Sequence, residues 1–228
     1  SLEAPKELWD ACMGMYEAVD QTKAFATPIK VSGLFEQSHH LCEITNALTY
    51  YIEYEDEMHD LIKYLMDWEI KFADDLCDHF HPEILFYHDD WGSQNSTFLS
   101  RGMFQDFFLE AYKTIYGRYK ERGVKYIIHH SDSYAKTLVP DMIEMGIDVW
   151  QGCMWSNDIP ELIQKYGGQI SFMGGIDNKF VDKSDWSEEN NKKYVDMVCS
   201  ECGDKYFIPC IIQGGPGSTT PGVYANLV

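Results

Sequence analysis

The chain has 228 residues, of which 45% are hydrophobic and 24% charged, enough for one large α/β domain or two small ones with a sizeable core. Its formal net charge of -19 and pI near 4.6 oppose binding to nucleic acid or anionic membranes, which attract Lys/Arg patches. Only Arg101, Arg118 and Arg122 are arginines, so a ligand rich in carboxylates would find few bidentate partners.

No run of about 18 apolar residues marks a transmembrane helix. No charged-then-apolar leader marks a signal peptide, so a cytoplasmic protein is expected. The seven cysteines are odd in number and scattered, which reads as reduced thiols. Cys199 and Cys202 form one C-x-x-C late in a helical pattern, where i, i+3 spacing serves packing.

In chain order, a helical stretch over residues 5–19 precedes the first apolar run, Ile29–Leu34. Gly33 then allows close backbone approach at the strand end, and Phe35, His39 and His40 follow as packing or rim residues. Residues 55–77 carry Met58, Leu61, Ile62, Leu65, Met66 and Phe72 at three- and four-residue intervals, the pattern of one buried helix face. The run Ile84–Tyr87 is followed by a second amphipathic helix over residues 100–122, with Ser100 as N-cap and Gly123 as stop. Tyr126–His129, a helix over 138–145 ending at Gly146, Val149–Gln151 and a helix over 159–166 ending at Gly167 come next. Then follow Ile170–Met173, a helix from the capping-box-like Ser187 to Cys202, Phe207–Ile212, and a last helical stretch at the carboxyl end.

Near-continuous apolar runs suit parallel strands covered on both faces, and the strand–helix alternation predicts a (β/α) barrel or a doubly wound sheet. A closed barrel needs eight strands and the sequence supplies six runs. The expectation is a single barrel domain over residues 1–228, incomplete at its amino-terminal strands.

In such folds chemistry lies at the carboxyl ends of strands. His88, Asp89, Asp90 and Trp91 follow the second run. His129, His130 and Asp132 follow the third, Gln151 the fourth, Asp177 the fifth and Gln213 the sixth. Adjacent Asp89 and Asp90 point to opposite sides of an extended backbone, so one enters a central pocket and the other caps a helix or meets a lysine. His130 and Asp132, two apart, share a face; they could ligate one ion or form an orienting pair without metal. A third ligand would come from Asp89, Asp90 or Cys210, whereas His129 points away and packs. Gly214 to Thr219 is a glycine-rich loop lacking the lysine of a phosphate-binding loop, and reads as a tight turn.

The succession "YHDDWGSQNSTFLSRGMFQDFF", "IIHHSDSYAKTLVPDMIEMGIDVWQ", "ISFMGGID" and "QGGPGSTTPGVYANL" resembles the uroporphyrinogen decarboxylase superfamily over residues 29–228. That resemblance implies a (β/α)8 barrel of this type, and either porphyrinogen decarboxylation or methyl transfer involving corrinoid proteins. The decarboxylases carry a histidine where Gln213 falls, a serine where Asp89 falls, and an arginine-rich amino-terminal loop. The methyltransferases carry His-x-Cys and a later cysteine, and bind zinc. Here His130-Ser131-Asp132 keeps the histidine and replaces the cysteine by aspartate, with Cys210 near the later position.

The expectation is therefore a methyltransferase-like enzyme moving a methyl group between a small O- or N-methylated compound and a corrinoid protein. A decarboxylase and a non-catalytic barrel are the alternatives. The resemblance implies catalytic roles for Asp89, His130 and Asp132, and substrate contacts for His88, Asp90, Trp91, Gln151, Asp177 and Gln213. It implies zinc on His130, Asp132 and Cys210. The expected partners are a small-molecule substrate and a corrinoid protein, with a second copy of the chain as a further candidate, and neither nucleic acid nor a membrane.

Overall fold

Among the described residues six strands lie side by side in chain order, and every neighbouring pair is parallel. They are β1 (Ile29–Val31), β2 (Ile84–His88), β3 (Tyr126–His130), β4 (Val149–Cys153), β5 (Ser171–Ile176) and β6 (Phe207–Ile211). The computed structural model describes residues 6–214 and 218–227. Sequential parallel order is the arrangement of a (β/α) barrel, here an open arc with β1 and β6 as its edges. The six apolar runs of the sequence thus correspond one to one with the strands. Among the described residues no helix is long and apolar enough to cross a membrane.

The helices are α1 (Lys6–Glu17), α2 (Leu34–Cys42), α3 (Ile44–Glu53), α4 (Glu55–Phe80) and α5 (Arg101–Phe104). A π-helical turn over Gln105–Leu109 joins α5 to α6 (Glu110–Glu121). Then come α7 (Val139–Met145), α8 (Ile159–Tyr166), α9 (Asn178–Val181), α10 (Glu188–Cys202) and α11 (Val223–Leu227). The predicted ends hold. Ser100 Oγ accepts the Met103 N–H and Ser187 Oγ accepts the Asn190 N–H. Gly146 takes the left-handed conformation, φ 85°, that closes α7. Cys199 and Cys202 lie in the last turn of α10, Cys202 buried.

Helices α2 and α3 are a finding the sequence pattern did not reveal. The α2 N-cap is Gly33, which has no side chain, and the two helices meet at Glu43 with φ 63°, a conformation usually marked by glycine. The first strand is also shorter than its apolar run, because Leu34 already belongs to α2.

Side-chain alternation sorts the sheet into two faces. Leu85 and Tyr87 on β2, Ile127 and His129 on β3, Trp150 on β4 and Phe172 on β5 are fully buried beneath the helices. Tyr112, Tyr116 and Tyr119 of α6 pack in the same core, Tyr87 standing edge-on to Tyr112 and Tyr116. The other face lies inside the arc and is less covered: Ile29, Val31, Tyr126 and Ile208 are exposed. Register then sets the levels on that inner face. Val31 pairs with His88, His88 with His130, and His130 with Gln151, so His88, His130 and Gln151 stand in one row near the strand ends.

The N-cap at Ser100 starts the helical segment that carries Tyr112 and Tyr116. Replacing it (Ser100→Ala) leaves the Met103 N–H without its acceptor and is expected to cost about 1 kcal/mol, read from urea unfolding. An unchanged midpoint would show that this terminus is satisfied another way.

Candidate functional site

The β2 end reads His88-Asp89-Asp90, and strand alternation sends His88 and Asp90 to the inner face and Asp89 to the helix side. The β3 end reads His129-His130-Ser131-Asp132, with His129 on the helix side and His130 and Asp132 inside. His129 is fully buried: its Nε2–H donates to the Asp89 carbonyl (3.1 Å) and its Nδ1 accepts from the Tyr116 hydroxyl (2.8 Å). Burial pushes its pKa well below the ordinary imidazole value, so it is a neutral packed histidine, as its position in the sequence predicts.

On the inner face, carboxylates and imidazoles alternate. Glu36 Oε1 lies 3.0 Å from His88 Nε2, and Asp90 Oδ2 lies 3.8 Å from that same nitrogen. Asp90 Oδ1 accepts the Asp132 N–H at 2.9 Å. His130 Nε2 stands 3.9 Å from Asp132 Oδ2, which accepts a 2.6 Å hydrogen bond from Gln213 Nε2. The His88 and His130 rings stack at 4.6 Å. His130 Nδ1 donates to Gln151 Oε1, which leaves Nε2 with the lone pair.

The charges in this row act on one another. The Glu36 hydrogen bond raises the His88 pKa against the opposing effect of burial, and the charges of Glu36, Asp90 and Asp89 add to it. Burial opposes ionisation of Glu36, but His88, through hydrogen bond and charge, with His40 and His39 outweighs it and holds that carboxyl below its usual value. Burial, then the Asp132 charge, raises Asp90. Among the described residues, the ion pairs of Glu36, Asp90 and Asp132 are with histidines, none with lysine or arginine.

Among the described residues two groups of three have donor atoms that all lie within 4.8 Å of one another: Glu55, His59 and Asp106 on α4 and the π-helical turn, and, at the strand ends, His88, Asp90 and His130. The expected metal set of His130, Asp132 and Cys210 is not one of these groups. Asp132 stands beside the cluster, and Cys210 is separated from His130 by Gln151, whose Nε2 points at the Cys210 sulfur (3.8 Å). Burial raises the Cys210 pKa, which keeps the thiol protonated.

Three further expected site residues fall elsewhere. Asp89, predicted as catalytic, is fully buried on the helix side, and its carboxylate accepts from Phe35 N–H (3.0 Å), Glu36 N–H (2.8 Å), Trp91 Nε1–H (3.1 Å) and the Tyr112 hydroxyl. It is the distant cap of α2, and so the helix-capping member of the Asp89-Asp90 pair. Gly33 makes room for it: a Cβ there would sit 2.5 Å from Asp89 Cβ. Trp91 is buried with its ring stacked on His129 at 4.0 Å, away from the inner face. Asp177 is buried, accepting the Trp155 N–H at 2.9 Å and facing Lys179 Nζ at 3.5 Å, a tie between loops.

Gln151 and Gln213 do reach the row, Gln213 also pairing through its backbone with Asn178. Glu36 is the member that sequence reasoning missed, because the helix that presents it is capped by a residue 53 positions away. Residues 215–217 of the glycine-rich loop lie outside the described residues.

A parallel barrel arc with polar groups gathered at its strand ends defines an α/β enzyme-type scaffold. The chain belongs to the uroporphyrinogen decarboxylase (URO-D) family, whose model matches residues 16–201. Among solved structures it is similar to a methyltransferase from Methanosarcina mazei, with 13% identity and a TM-score of 0.74, covering 96% of this chain and 61% of that one. That likeness establishes a shared fold, and this chain spans only about three fifths of that protein's length. No curated protein sequence matches the chain.

Burial, followed by the Glu36 charge, raises the Asp89 pKa to about 7, against the hydrogen bonds from Tyr112 and the two backbone amides. The folded state therefore holds this proton more tightly than the unfolded chain does. Stability contributed by Asp89 is greatest below its unfolded pKa near 3.8 and falls as pH rises towards about 7. The slope approaches about 1.4 kcal/mol per pH unit. Urea unfolding at pH 5 and pH 7 is expected to show the advantage of wild type over Asp89→Asn shrinking as pH rises; a difference independent of pH would contradict the assignment.

Proposed function

We propose that this chain carries a methyl-transfer site for a small O- or N-methylated compound, with a corrinoid on a partner protein as the methyl acceptor. The observation that supports this reading is the inner-face row of Glu36, His88, Asp90, His130 and Asp132, without a lysine or arginine partner among the described residues. A decarboxylase for polycarboxylates needs cations facing its substrate, and a binding barrel would have its carboxylates neutralised by lysines. Neither pattern fits this row. The corrinoid acceptor rests on the resemblance within the family.

The residues fit a divalent metal such as zinc. Two imidazoles and a carboxylate converge, and each ring is held by a hydrogen bond, His88 to the Glu36 carboxylate and His130 to the Gln151 amide oxygen, the kind of outer partner that orients metal-bound histidines. His88, Asp90 and His130 would hold the ion. When bound it would supply Lewis acidity to the heteroatom that loses the methyl group. The nitrogen and oxygen donors are harder than the thiolates of a zinc–sulfur site, which suits an oxygen or nitrogen leaving atom.

The chain's own groups do the rest. Gln151 fixes the His130 ring, and Gln213 fixes the Asp132 carboxylate. Asp132 Oδ2, 3.9 Å from His130 Nε2, is placed to hold or pass a proton at the inner face. The apolar inner-face residues Val31 and Phe86 border the row and favour a compact, weakly polar substrate body.

Metal analysis of purified protein is expected to find about one zinc per chain, lost in His88→Ala and in His130→Ala and retained in Cys210→Ser. Methyl transfer from a panel of O- and N-methyl compounds to reduced cobalamin, followed by its visible spectrum, should fall at least about 100-fold in the two histidine variants. Absence of metal from wild type handled without chelators would remove the metal from this reading. Full transfer activity in both histidine variants would remove the site.

A further inference from the structure

We propose that Glu36 is a positioning residue for His88: it takes the Nε2 proton in a hydrogen bond and leaves Nδ1 as the nitrogen with the lone pair. The inference deepens the reading of this row as a reaction site and names a residue that neither the sequence motifs nor the converging donor set includes.

Glu36 is held at both ends. Its backbone N–H is fixed by Asp89 at 2.8 Å, and the two preceding amides are fixed as well, Phe35 by Asp89 at 3.0 Å and Leu34 by the Tyr112 hydroxyl at 3.0 Å. The first turn of α2 is therefore anchored to β2 and α6 through buried groups. From that anchored turn the Glu36 side chain reaches back over the β2 end, only 12% exposed, and meets His88 Nε2 at 3.0 Å. Consecutive residues of one strand end thus grip Glu36, Asp89 by its backbone and His88 by its carboxylate.

The chemistry of the contact sets the tautomer. The charged or titratable groups around Glu36 are His88, Asp89 and Asp90 from the β2 end and His39 and His40 from its own helix. The Glu36 carboxylate oxygen lies 3.0 Å from Nε2, and a carboxylate accepts but does not donate. Nε2 of His88 must then be the donor. His130 is arranged the other way: its Nδ1 donates to Gln151 and Nε2 keeps the lone pair. Two stacked imidazoles, level in the strand register, are thereby fixed as opposite neutral tautomers. A His88 ring free to take either tautomer would leave only part of the population with the Nδ1 lone pair.

The test is nitrogen-15 spectroscopy of the histidine side chains on the full chain, metal-free and at a pH where His88 is neutral. Wild type, Glu36→Gln and Glu36→Ala are compared. Wild type is expected to show the Nε2–H form at His88. Glu36→Gln should keep it through its amide oxygen, and Glu36→Ala should become a mixture. The His129 signals, which report on the neighbouring Asp89 anchor, should stay unchanged and show that α2 is still in place.

A second readout is zinc affinity by chelator competition, expected to weaken roughly 10- to 100-fold in Glu36→Ala and less in Glu36→Gln. An Nδ1–H form at His88 in wild type, or an unchanged tautomer in Glu36→Ala with His129 undisturbed, would overturn the inference. If wild type binds no zinc, the metal part of the proposed function fails, while the tautomer comparison still decides the role of Glu36.

Discussion

The carboxylate of Asp89 is the constraint on which the site depends. It is buried without a cationic partner, an arrangement that costs several kcal/mol unless hydrogen bonds replace lost water. Four donors do so: the amides of Phe35 and Glu36, the Trp91 indole and the Tyr112 hydroxyl. Those donors come from three separate parts of the chain, so satisfying one carboxylate fixes α2 and α6 against the end of β2. Gly33 belongs to the same constraint, because any Cβ there would occupy the space of the Asp89 side chain. Remove the anchor and Glu36 has no fixed place from which to reach His88.

The second organising element is the strict alternation of a strand. His129 and His130 are neighbours in sequence but face opposite environments: one is a neutral ring among tyrosines, the other a partner of Gln151 and Asp132. Asp89 and Asp90 separate in the same way, into an anchor and an inner-face carboxylate. Parallel register then adds what alternation lacks, a common height, by pairing His88 with His130 and His130 with Gln151. The helix-side members position; the inner-face members are left to interact with a ligand.

Much of this could be read before any coordinates. The strands were visible because each is an apolar run between turn signals, and the helix ends because Ser100, Ser187 and Gly146 carry local chemistry. The shared face of His130 and Asp132 follows from spacing alone. The choice between Asp89 and Asp90 did not, since the preceding run Ile84–Tyr87 is apolar on both faces and hides its phase. Helix α2 and Glu36 were invisible for a related reason: their cap is contributed from across the sheet. Cys210 was misjudged because proximity in sequence to a family position says nothing about Gln151 standing between it and His130.

The donor chemistry carries the last step. A zinc site that activates a thiol is built from soft, ionised cysteines, and here Cys210 has its thiolate disfavoured by burial. In its stead the inner face offers two imidazoles and a carboxylate, with further carboxylates at Glu36 and Asp132. Among the described residues Glu36, Asp90 and Asp132 pair with no lysine or arginine, and burial, followed by the Asp132 charge, raises the Asp90 pKa, so part of the cost is like-charge repulsion in the row. That repulsion is relieved by a proton on His88 or by a bound cation. A divalent ion held by His88, Asp90 and His130 would relieve it most fully.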